Sequence, residues 1–328
     1  MNVAGFDYAK LTTTNKTPCG ALRPENRVLV EHAGQQSRRI MSSLIATQSA
    51  PELVLAAAID TQRRAVLAVL DAGAERTKAK PVHALRVAIR RLASALQLAR
   101  ALGYAARPKT LRRLRKLMSA LSGLRDAQQQ RRAIERLSTS AAQAPSAIVL
   151  LRETEVDSER QALHRLGKFD ASAFDLDISS ISERLATSVQ TPDTHPAANA
   201  VVLGELAKRH LEALRQQRRA GECDAEALHR ARLVFKNYRY ALEAIGSLLP
   251  ASACNLLEAS AELQDSLGHA HDAHVLAETL SKLAKAAQTS LSLQGLAGEL
   301  AEAGSRAHEA GKLALGAIDL RWPFTQTI

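Results

Sequence analysis

Apolar residues recur at three- and four-residue intervals over most of the chain, in segments separated by breaks rich in Pro, Gly and Ser, which is the pattern of amphipathic helices. It predicts helices over residues 51–76, 81–102, from Pro108 through LRRLRKLMSALSGL with a disturbance near Gly123, and over 144–166. Pro51 and Pro81 suit first turns, where a missing N–H costs nothing. A second group of four is predicted over 198–219, 225–249, 253–281 and 290–316, with Gly221, Pro250 and Gly316 near helix ends. Residues 1–50 have weak periodicity and read as a loosely ordered arm. Residues 167–198 read as a connector with one short helical piece near ISERLATSV, and 321–328 as a tail. The expectation is an all-α chain of two four-helix units, 51–190 and 191–320.

Those two groups repeat at a constant offset of 146 residues, which takes His83 to His229, Arg86 to Arg232, Arg90 to Lys236, Leu117 to Leu263, and Asp126-Ala127 to Asp272-Ala273. A register held over both apolar and ionisable positions predicts a duplicated helical unit with one core face and one charged face. Only 3% of the residues are aromatic, which favours helices packed through small and aliphatic side chains over a β architecture.

Charge changes the picture further. The net charge is +11, so the partners to expect are polyanions. From Arg76 to Arg125 there are fourteen Lys or Arg and no Asp or Glu. On a helix, His83, Arg86 and Arg90 fall within about a 60° arc, opposite Leu85, Ile89, Leu92 and Leu96. His229, Arg232, Lys236 and Arg239 repeat this opposite Val234, Phe235, Tyr238, Leu242 and Ile245. Arg112, Arg115 and Lys116 add cations from the next helix. A solvated face is the plain alternative for any basic stripe, but solvated helices interleave Glu with Lys at four-residue spacing, and this stripe does not. Arginines left without local acids are available to an external anion, whose phosphate oxygens match the guanidinium fork.

The segments VHALRVAIRRLASALQL and LHRARLVFKNYRYALEAIG, followed by LSGLRDA and LQDSLGHAHDA, resemble the paired signature helices of the CHAD family, the conserved histidine α-helical domain. The resemblance covers about residues 51–318 and rests on the paired occurrence of the motifs. It implies two four-helix bundles, related by a pseudo-twofold around a basic cavity, and non-catalytic binding of inorganic polyphosphate without a cofactor. It implies as ligands His83, Arg86, Arg90 and Arg91 in the first half and His229, Arg232, Lys236 and Arg239 in the second. Arg125 and His271 fill the position before each aspartate, and Asp126 and Asp272 are expected to orient arginines or cap turns.

Other chemistries are less well supported. The run GHAHDAHVL groups His269, His271, His274 and Asp272, but a completing histidine and aspartate are missing and position 271 is basic in the other half, so extra cationic capacity is the simpler reading. No phosphate-cradling glycine loop, GxSxG elbow or ExExK signature is present, and no enzyme is expected. A nucleic-acid binder would interleave aromatics with the stripe, where only Tyr238 and Tyr240 are near. Cys19, Cys223 and Cys254 form no metal or disulfide pattern. No secretory signal or membrane span is seen, and a cytoplasmic protein at polyphosphate granules is expected, with other polyanions bound weakly.

Overall fold

The computed structural model describes residues 50–138, 145–190, 195–222, 224–249, 251–286 and 291–322. The predicted arm, except residue 50, and most of the predicted tail lie outside them. Nine α-helices and no strand occur among the described residues. They are α1 (Pro51–Leu70), α2 (Ala79–Ala101), α3 (Pro108–Ser138), α4 (Pro145–Gly167), α5 (Ala171–Thr187), α6 (His195–Arg218), α7 (Ala225–Ala244), α8 (Ala251–Ala286) and α9 (Leu291–Ala317). The 146-residue offset reappears in the helix starts, from Ala79 to Ala225 and from Pro145 to Leu291.

Local chemistry sets the boundaries that matter for the site. After α2, Gly103 adopts φ +92°. Tyr104 N–H donates to Ala99 O at 2.9 Å and Gly103 N–H to Arg100 O at 3.0 Å, the paired bonds of a Schellman cap. This turn sends the chain into α3. The Asp224 carboxylate caps α7 by accepting from Ala227 N–H at 2.6 Å.

The described residues form one compact unit. Its main core draws on both predicted halves: Leu55, Leu85, Leu92 and Leu121 pack in the same cluster as Phe174, Phe235, Tyr238 and Leu267. A smaller cluster joins Ile134 and Leu151 to Leu276 and Leu300. Of the apolar stripes read from the sequence, Leu85, Ile89, Leu92 and Leu96 on α2, Phe235, Tyr238 and Leu242 on α7 and Ile245 just after it are buried, and Val234 is partly buried. Helices α2 and α7 also pack on each other, which places the opposite, charged faces together.

Two expectations are corrected. The connector contains a full helix, α5, because Phe174, Ile178, Ile181 and Leu185 lie one or two turns apart and are all buried, while Asp170 caps the start by accepting from Ala173 N–H at 3.0 Å. Nor is α3 disturbed at Gly123. Leu121 and Leu124 on either side are fully buried, and that packing outweighs the roughly 1 kcal/mol that a glycine costs a helix.

Candidate functional site

Helix α2 contributes His83, Arg86 and Arg90, α3 contributes Arg125 and Asp126, α7 contributes His229, Arg232 and Lys236, and α8 contributes His271 and Asp272. On α2 and α7 the basic residues sit opposite buried leucine, isoleucine or aromatic stripes, so core packing aims those charges away from the core. Arg125 and His271 lie at the border of the apolar stripe, one turn from the buried Leu121 and Leu267. The groups from the two halves act on one another. Burial lowers the His83 pKa, and Arg125, Arg86, Arg90 and the cross-half Lys236 lower it further. Burial and then Arg90 bring Arg86 down to about 10. Burial with Arg232, Arg90 and Arg86 brings Lys236 down to about 7. Arg125 and Arg232 are lowered as well, burial again leading.

Acids in this cluster are sparse. Asp126 is the nearest to Arg86, at 3.7 Å. Gln129 Nε2 donates to Asp272 at 3.3 Å. Both carboxyls are shifted upward, by loss of surrounding water first; for Asp126 the proximity of Asp272 adds to this and Arg86 opposes it. Asp126 still keeps 58% of its side chain accessible, so it occupies a crowded but wet position. Arg86 Nε, Arg232 Nε and His229 Nδ1 are buried and have no hydrogen-bond partner. Such atoms carry a desolvation cost until an acceptor arrives. Arg232 also lies over Gly268, where a Cβ would stand 3.4 Å from its Nη2.

Several predicted residues are placed elsewhere. Arg91 Nε donates to Glu243 at 2.7 Å, and Arg239 lies 3.2 Å from the other oxygen of that carboxylate. The two arginines therefore converge on α7 Glu243. Arg112, Arg115 and Lys116 are exposed on α3, with Arg115 Nε donating to Leu111 O at 3.4 Å. Lys116 lines a groove between α3 and α4. Other cations of the acid-free stretch find acids from distant segments: Arg113 pairs with Asp170 at 3.0 Å and Arg107 with Asp177 at 3.4 Å. At the centre, Arg90 and Arg125 make no ion pair among the described residues and Arg86 reaches only Asp126.

The histidine run separates in space. His271 stacks on His229, whereas His274 Nε2 is 3.8 Å from Glu278. Among the described residues no three His, Cys, Asp or Glu side chains are placed to share a metal ion. His271 was read as extra cationic capacity, but burial, His229 and Arg232 push it down to about 4, so it is neutral near pH 7. Sequence reading missed Arg132, which acts electrostatically on Arg125 from two turns along the same face of α3; its i+7 spacing was the available signal.

The family model of the CHAD domain matches residues 57–281, a span that contains the whole cluster. The chain belongs to the CHAD domain family. Its fold is similar to the crystal structure of the CHAD domain from the plant Ricinus communis, with 22% identity and a TM-score of 0.67 over 83% of this chain and 93% of that one. It is also similar to PptA from Streptomyces chartreusis, with 17% identity and a TM-score of 0.54 over 81% of this chain and 98% of that one. No curated protein matches. Within this CHAD domain the two signature helices are α2 and α7, the pair whose packing brings His83, Arg86 and Arg90 into the field of Arg232 and Lys236. Among the described residues no helix is long and apolar enough to cross a membrane.

Proposed function

We propose that this CHAD protein binds inorganic polyphosphate in a basic cavity formed by His83, Arg86, Arg90, Arg125, His229, Arg232 and Lys236, without cleaving it. The observation that carries this reading is the cluster of mutually repelling, partly buried bases from both halves, with buried Nε–H groups on Arg86 and Arg232 that lack acceptors. A polyphosphate strand supplies closely spaced oxygens for these donors and relieves the repulsion, whereas a duplex roughly 20 Å across, with one phosphate per ~3.4 Å of axis on each strand, cannot enter between packed helices. Asp126 and Asp272 serve the arginines in this reading, and the site stabilises a bound anion without moving a proton to a leaving group. In cells that accumulate polyphosphate the protein would associate with the granules.

The test is titration with long-chain polyphosphate, duplex DNA and ATP at matched salt, followed by gel analysis of polyphosphate length after prolonged incubation. Polyphosphate should bind most tightly, with affinity falling steeply with salt, and should keep its length. Duplex DNA binding as tightly at physiological salt would defeat the proposal, and shortened chains would defeat its non-catalytic part.

A further inference from the structure

The groove between α3 and α4 encloses about 540 Å³ and is lined by Lys116 and Ser119 from α3 and by Ser158, Gln161, His164 and Arg165 from α4. That volume is in the range of small-ligand clefts, roughly 300–1,000 Å³. No carboxylate lines it. Arg160, also in its wall, is held by Asp157 at 2.9 Å, whereas Lys116 and Arg165 make no ion pair among the described residues. Lys116 precedes Arg125 by nine residues on α3, which is half a revolution and roughly 13 Å along the axis. Ser119, by contrast, lies two turns before Asp126 on the same face of α3, so the groove extends along and around α3 from the central cluster.

Among the described residues the second half does not repeat this lining. At the 146-residue offset, Ser158, Gln161 and Arg165 correspond to Gly304, Ala307 and Gly311. There α9 lies close on α8: a Cβ on Gly311 would stand 3.2 Å from Leu267 Cδ2, and one on Gly304 3.6 Å from His274 N. Lys116 and Ser119 correspond to Glu262 and Asp265, so the sign of the charge is reversed too. The first half thus has an open groove with cations in its lining where the second half packs Gly304 and Gly311 against α8. Such an opening forfeits dispersion contacts and sets like charges near one another, with no gain in stability.

We propose that this groove is a second anion-binding site, in which Lys116, His164 and Arg165 take the phosphate groups of an oligophosphate and Ser119, Ser158 and Gln161 supply neutral donors. It deepens the polyphosphate reading above. A long strand leaving the central cluster continues around α3 into the groove, and a short oligophosphate occupies the groove independently.

Calorimetric titration with tripolyphosphate, too short to span both places, tests this on the full chain. The parent should show two sites, Lys116→Gln with Arg165→Gln one, Arg86→Ala with Arg232→Ala one, and the fourfold variant none. Because Lys116 and Arg165 are exposed, the groove variants should melt like the parent. Lys116→Glu, which installs the charge that the second half carries, should weaken the groove site at least tenfold. With long-chain polyphosphate, the groove pair should lower the slope of log affinity against log salt by about 1.4, taking roughly 0.7 per single-strand phosphate contact. A stoichiometry and a slope that both groove variants leave unchanged would overturn the groove. Loss of neither site in Arg86→Ala with Arg232→Ala would instead defeat the central reading and leave the groove standing.

Discussion

The imidazole rings of His229 and His271 stack with their centroids 4.3 Å apart and their planes tilted by 34°. The pair joins α7 to α8 at the edge of the cationic cluster. Two imidazolium rings at this distance would repel, so the arrangement is one of neutral rings, consistent with the downward shift of both.

Polyphosphate affinity should therefore increase as pH falls from about 8 to 6. His83, His229 and Lys236 have lowered pKa values in the free protein, Lys236 at about 7. A bound polyanion reverses the field and raises them, so binding takes up protons, and protons promote binding in the window between the free and bound values. Affinity measured across this range should show the dependence, and His83→Gln with His229→Gln should retain only the part due to Lys236. A flat parent profile would mean that these groups do not face the anion.

Lys236→Met should stabilise the free protein while weakening polyphosphate binding. The unfolded lysine titrates near its ordinary 10.5 and the folded one at about 7. Between those values the unfolded chain binds more protons, so the lysine's contribution to stability falls as pH drops from 10.5 to 7 and is least favourable below 7. At pH 7 the substitution should raise Tm by about 2 °C or more. His271 acts in the same sense lower down: the free protein should lose stability as pH falls from 6.5 toward about 4, and added polyphosphate should offset the loss.

Arg90→Ala should cost more binding than Arg91→Ala, although the two are neighbours in sequence. Arg90 stands in the central field, while an anion recruiting Arg91 must first break its 2.7 Å bond to Glu243. A charge-assisted contact is worth about 1.5–3 kcal/mol, so Arg90→Ala should weaken binding roughly tenfold or more. Equal losses for the two single variants, measured by titration, would place Arg91 in the site as well.

Phe174→Ala should lower unfolding free energy by about 3–5 kcal/mol in denaturant titration. Phe174 is 2% exposed and packs in the main core, so α5 is part of the fold and not a tether between halves. A loss below 1 kcal/mol would show that α5 contributes little.

The all-α class and the buried stripes of α2 and α7 could be read from the sequence, because a helix of 3.6 residues per turn converts spacing directly into a face. That the face of His83, Arg86 and Arg90 meets the face of His229, Arg232 and Lys236 was implied only by the CHAD resemblance, since period and register act within one helix at a time. Helix α5 was partly hidden because Ser and Asp are interspersed along it, even though Phe174, Ile178, Ile181 and Leu185 carry its periodicity. The availability of each cation could not be read at all. Between Arg76 and Arg125 the sequence has no acid, yet Arg107, Arg113 and Arg91 are paired with Asp177, Asp170 and Glu243 from other helices. The same holds for His271, which sequence counts as basic and which burial, with His229 and Arg232 close by, keeps neutral. Pairing and protonation depend on distances of a few ångströms between residues that lie far apart along the chain, so only the tertiary structure decides which charges cancel and which remain for a ligand.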